Sequence, residues 1–114
     1  MREKVVVLSV IDKKSIQSIR LLDDVIVIGW LNTWYQEDIE DLLSVIVSLS
    51  NDIEIVEKLI GADRESIRIT WQQQFYFVLH FDFYSQSCWI DGEDHHSSNN
   101  LPALLDDIMV DRDE

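Results

Sequence analysis

The sequence is poor in basic residues, cysteine, proline and glycine, and it has no long apolar run. Nine Lys and Arg stand against 22 Asp and Glu, a formal net charge of −13. Nucleic-acid binding draws its affinity from Lys and Arg contacts that release phosphate counterions, and nine scattered bases form no such patch. The same imbalance disfavours anionic membrane surfaces. The apolar runs at residues 5–8 and 25–28 fall far short of the roughly 18 residues a membrane span needs. The first of them is also too short for a secretory signal and lacks a small-residue cleavage site. A single cysteine, Cys88, can form no internal disulfide, and the chain reads as a cytoplasmic protein of a reducing compartment. One proline and three glycines exclude collagen-like and low-complexity chains.

What is present is a chain of 114 residues, 46% of them apolar. That is enough for one core, so residues 1–114 are expected to form a single α+β domain. Residues 5–11 and 25–31 are dense in β-branched side chains and read as strands. Residues 12–22 are ambiguous: Asp12 could cap a short helix that aligns Ile16, Ile19 and Leu22, or residues 18–22 could be a strand. Thr33 and Gln36 have capping-box spacing, and Tyr35, Ile39, Leu42, Leu43, Ile46 and Leu49 follow a 3.6-residue period. This predicts a helix over residues 33–50. Residues 51–60 favour a second helix, with Asn51 and Glu54 as a cap and Gly61 as its left-handed end. Ile53, Ile55 and Leu59 also fit a strand.

After Gly61 the period changes to two. Residues 66–71, 74–83 and 85–90 are rich in aromatic and β-branched residues and read as an antiparallel meander. Gly92 to Asn100 is a polar loop. Asn99 or Asn100 caps a last helix with Pro102 in its first turn and Leu104, Leu105 and Ile108 on one face. The expected fold is an antiparallel sheet of about five strands, with two or three helices packed on one face.

Charge is distributed unevenly. Residues 1–35 sum to +1, 36–60 to −6, 61–90 to −1 and 91–114 to −7. The helix after Thr33 holds Glu37, Asp38, Glu40 and Asp41 and no base. First-turn acids suit the helix dipole, and a solvated acidic face aids solubility. The functional alternative is a docking face for a basic protein partner, formed by Glu37, Asp38, Glu40 and Asp41 with Asp106 and Asp107.

Chemistry-bearing residues are few. Cys88, Asp91, Glu93, Asp94, His95 and His96 include metal-ligand types, but their spacing fits no zinc or calcium signature. Cys88 could meet His80 across neighbouring strands. A nucleophilic thiolate needs a basic setting, however, and Cys88 stands beside Trp89 and Ile90 in an acidic chain. The isolated glycines build no phosphate loop. The aromatic residues are expected mainly in the core. Tyr76 and Tyr84 could mark a homodimer surface.

The stretches Gly61-Ala62-Asp63-Arg64 and Ser87-Cys88-Trp89-Ile90 resemble a group of short bacterial proteins of unknown function. That resemblance implies a bacterial cytoplasmic α+β domain and supplies no activity, cofactor or catalytic residue. The expectation is therefore a non-catalytic interaction module for a basic partner, without enzyme activity or cofactor. The alternatives are a homo-oligomeric domain using its aromatic sheet face, or a metal-binding protein using Cys88, His95 and His96.

Overall fold

A computed structural model describes residues 11–61 and 64–112. Within them lie six strands: β1 (Ile16–Leu22), β2 (Val25–Trp30), β3 (Ile53–Ile60), β4 (Arg64–Trp71), β5 (Phe75–Asp82) and β6 (Ser87–Gly92). The helices are α1 (Ile39–Val47), α2 (His95–Ser98) and α3 (Leu101–Arg112). The strands form one fully antiparallel sheet in the order β1-β2-β6-β5-β4-β3. The meander expected over three strands thus runs through four, β3 to β6, and the β1–β2 hairpin joins it at β6. The expected strand at residues 5–11 lies outside the described residues, apart from Ile11, which is irregular.

Register places the core on one sheet face. Ile26, Ile90, Leu79 and Ile67 are successive cross-strand partners on β2, β6, β5 and β4. All four are at most 1% exposed. Neighbouring rows add the pairs Phe81–Cys88, Phe77–Ile69 and Phe75–Trp71. Side chains alternate faces along a strand, so residues between these point to the other side. The helix layer closes the apolar face with Leu42, Leu43 and Ile46 of α1 and Leu101, Leu104 and Ile108 of α3.

The ambiguous segment 12–22 resolves into a turn and a strand. Asp12 caps a single 3-10 turn, Lys13–Ser15, by accepting from the Lys14 N–H at 2.9 Å. β1 follows at once. The β1–β2 turn needs only Asp23 and Asp24, because Leu22 pairs with Val25. Asp23 takes a positive φ of 54° there, a conformation that Asp tolerates better than most residues.

The helix expected over residues 33–50 is shorter. Thr33 caps nothing. Instead the Tyr35 N–H donates to Asp38 Oδ2 at 2.8 Å and the Asp38 N–H returns to the Tyr35 carbonyl at 2.8 Å. A 3-10 turn, Gln36–Asp38, then leads into α1. The chain before it is held by Gln86. Its Oε1 accepts from the Trp34 N–H at 3.0 Å, and its Nε2 donates to the Trp34 carbonyl at 2.8 Å. Trp34 is thereby fixed in the core, edge-on to Phe81 at 5.8 Å.

Residues 51–60 correct the preferred reading: they hold a strand, not a helix. Ile53 pairs with Trp71 and Ile55 with Ile69 before a bulge at Val56 shifts the register. The capping pattern of Asn51 and Glu54 is local, whereas pairing with β4 engages seven of the eight residues of the strand, and tertiary pairing prevails. Gly61 ends no helix. Its N–H donates to the Arg64 carbonyl at 2.9 Å, at the mouth of the β3–β4 turn.

The loop expected at 92–100 contains α2. Asp94 caps it by accepting from the Ser97 N–H at 2.7 Å. Ser97 Oγ in turn accepts from the Tyr76 N–H at 2.9 Å, docking this turn on the end of β5. No helix among the described residues is long and apolar enough to cross a membrane.

Candidate functional site

Two surfaces carry the polar chemistry of the described residues: the acids of the helix layer and the sheet face that no described helix covers. On the helix layer, the six acids singled out by the sequence divide into two groups. Glu37, Asp41 and Asp106 are exposed and make no hydrogen bond or ion pair among the described residues. The other three have internal tasks. Asp38 holds the Tyr35 N–H, and Glu40 is bridged by Lys58 Nζ at 2.8 Å. Asp107 turns inward to accept from Ser50 Oγ and from Trp71 Nε1, the latter at 2.8 Å. Lys13 lines two cavities beside these helices. It borders one cavity of about 470 Å³ with Asp41, Ser44 and Val45, and another of about 310 Å³ with Asp107.

On the uncovered face, register assembles a row that sequence reading missed. Val27, Trp89, His80 and Ser66 are successive cross-strand partners on β2, β6, β5 and β4. Ser66 Oγ lies 2.9 Å from His80 Nδ1, and His80 Nε2 lies 3.3 Å from Asp91 Oδ1. The His80 ring stacks on Trp89, with centroids 4.8 Å apart, and the Arg64 guanidinium sits 5.7 Å from the Trp89 ring. Beside this row, Arg68 donates through Nε to Glu93 at 3.0 Å and through a second nitrogen to Glu57 at 3.0 Å. The hydrogen bonds that Arg68 donates to Glu57 and Glu93 raise its pKa further.

Ser, His and Asp in hydrogen-bonded order invite comparison with nucleophilic triads. Acyl transfer also needs N–H donors aimed at a developing oxyanion, within a cleft. Ser66 and His80 stand in mid-strand on an open sheet, where ladder pairing occupies the backbone N–H groups. The row ties three strands together through polar contacts, and the Trp89 stack shields it.

Cys88 lies on the opposite face. His80 pairs with Trp89 and Phe81 with Cys88, so alternation separates the thiol from the imidazole by the thickness of the sheet. The Cys88–His80 pairing considered from sequence is not formed. Cys88 is 1% exposed, and burial pushes its thiol pKa up to about 12. The buried Trp30 indole N–H offsets this slightly but lacks hydrogen-bond geometry to any acceptor. His95 and His96 are exposed on α2, with the His96 ring 5.0 Å from Phe75. No group of three or more His, Cys, Asp or Glu side chains among the described residues is arranged to hold a metal ion. The Asp94 carboxyl is held below its ordinary pKa by the Ser97 backbone hydrogen bond. Tyr76 and Tyr84 lie toward opposite ends of β5: Tyr76 is its second residue and Tyr84 follows its last by two.

A sheet of meander topology with helices on one face defines a small α+β domain. The chain belongs to the family described as protein of unknown function (DUF3630), whose model matches residues 36–107. That segment runs from the 3-10 turn before α1 into α3 and so contains β3 to β6, leaving the β1–β2 hairpin outside. No curated protein and no solved structure matches the chain.

Proposed function

We propose that this chain is a non-catalytic protein-interaction domain that presents helix-layer acids to a basic protein. The observation that carries the reading is the set Glu37, Asp41 and Asp106, exposed and without internal partners among the described residues. Asp38, Glu40 and Asp107 serve the fold and contribute charge but not freedom to rearrange. The segment from Gln36 to Val47 contains four acids and no base, and although Lys58 pairs with Glu40 and Lys13 and Lys14 line a cavity with Asp41, its field remains net negative. Such a field speeds encounter with a cationic partner and loses its advantage as salt screens it. The burial of Cys88 and the open-face position of Ser66 and His80 support a role without catalysis.

The test is a pull-down repeated at low and high salt with the wild type and with Glu37→Lys, Asp41→Lys and Asp106→Lys combined. The three reversals spare every carboxylate that holds the fold. A basic partner captured by the wild type should be lost from the reversed protein and released by salt. A partner retained through both changes would overturn the reading.

A further inference from the structure

The two edges of the sheet differ. β1, at one end, buries Ile16 and Ile19 and lies under α3. β3, at the other, pairs among the described residues only with β4, and its exposure begins immediately after Ile53. Ile55, Val56, Leu59 and Ile60 are 43%, 48%, 48% and 71% exposed. The helix layer reaches this strand at Ile53 and through the Lys58–Glu40 ion pair, and leaves the rest bare. Among the described residues the outer edge therefore has no strand partner along about 26 Å, and its backbone N–H and C=O groups are flanked by large apolar side chains. Natural edges are usually blunted with lysine, proline or a covering loop. Here the devices are one bulge and one lysine that is already paired.

We propose that this edge is the contact between two copies of the chain: β3 pairs antiparallel with β3 of the second copy across a twofold axis, joining two sheets of six strands into one. Two observations select a second copy over an unrelated strand. The first is charge. Residues 53–71 carry Lys58, Arg64 and Arg68 against Glu54, Glu57, Asp63 and Glu65, a net −1 within a chain of −13. Two molecules that repel over their helices and C-terminal third can approach at this hairpin, where the acid Glu57 is also neutralised by Arg68. The second is the strand's own pattern. Exposed apolar residues stand on both sides of the central Glu57 and Lys58, Ile55 and Val56 on one and Leu59 and Ile60 on the other, so the exposed apolar pattern reads alike in both directions. A twofold interface requires that self-complementarity. The dimer leaves Glu37, Asp41 and Asp106 unengaged by the paired strands, giving two acidic faces per assembly.

Light scattering on the full chain across micromolar concentrations tests the contact. The wild type should weigh twice 13.4 kDa. Val56→Lys combined with Leu59→Lys should return it to 13.4 kDa with its far-UV spectrum unchanged, because both side chains are exposed in the single chain. If that pair fails to fold, Ile60→Lys reads the same contact and should weaken the dimer about tenfold. Added salt should leave the dimer intact or tighten it, by screening the mutual repulsion, whereas it should release a basic partner from the acidic helices. A wild type that remains at 13.4 kDa throughout, or lysine variants that dimerise as tightly as the wild type, would overturn the proposal.

Discussion

β5 and β3 are strands of the same length in the same sheet, and both are rich in large apolar residues. In β5, Phe75, Phe77, Leu79 and Phe81 are buried in strict alternation, with neighbours on both sides and helices above. In β3 only Ile53 is buried. The contrast shows that apolar side chains do not decide burial by themselves. Position in the strand order does, because an edge strand has one neighbour and this one extends past the helix that would cover it. It also separates two tasks within one sheet: β5 holds the fold, and β3 keeps apolar surface available.

The contrast can be broken hardest at Phe77. Its ring is 0% exposed and faces Ile69 across the ladder. Phe77→Ala should destabilise the domain by about 3–5 kcal/mol, through lost transfer energy and the cavity left behind. Urea unfolding followed by tryptophan fluorescence measures this. A loss under ~1 kcal/mol would mean that the β5 layer is not the closed core that the register describes.

The same contrast explains what could be read from sequence. β5 announces itself: Phe75, Phe77, Leu79 and Phe81 alternate with residues that face out, and no helical period competes. β4 is legible for the same reason, β2 through its run of β-branched residues, β6 through its aromatic and β-branched content, and α1 through Leu42, Leu43 and Ile46. β3 favours a helical reading because Asn51, Glu54 and Gly61 imitate helix ends, and its partner β4 is a non-local fact that no window of ten residues contains. The polar row was hidden differently. Ser66, His80 and Asp91 are separated by 14 and 11 residues and meet only through the β4–β5–β6 register. The alternation that marks Leu79 and Phe81 as inward does place His80 outward, which was the one available signal. Of the six acids, composition revealed their number and sign. That Asp107 would turn inward to the Trp71 indole depended on how α3 packs.

A second measurement asks how dry the layer beneath β5 is. Cys88 is the cross-strand partner of Phe81, and its pKa near 12 in the folded state exceeds the ordinary value of 9.0. Below pH 9 the thiol is protonated whether folded or not, and its contribution is constant. Between pH 9 and 12 the unfolded chain releases this proton and the folded chain does not, so stability falls as pH rises. The slope from this group is about −1.4 kcal/mol per pH unit. Comparing alkaline urea unfolding of the wild type with Cys88→Ala isolates it: the variant should lose less stability per pH unit. Equal slopes would indicate that water reaches the thiol beneath β5.

The smallest effect is expected at the other end of the comparison. Ile60 is 71% exposed and pairs with Glu65 beside the β3–β4 turn. In dilute protein, where chains are separate, Ile60→Thr removes apolar area that water already contacts and keeps the β-branched backbone preference. Its stability change should lie within about 0.5 kcal/mol. At concentrations where two copies meet, the same substitution should weaken association, because the exposed isoleucine is then covered by the facing strand. Urea midpoints measured at both concentrations separate the two regimes. A large loss in the dilute regime would show that Ile60 is already packed within the single chain, and the distinction between a strand that builds the core and a strand that waits for a neighbour would disappear.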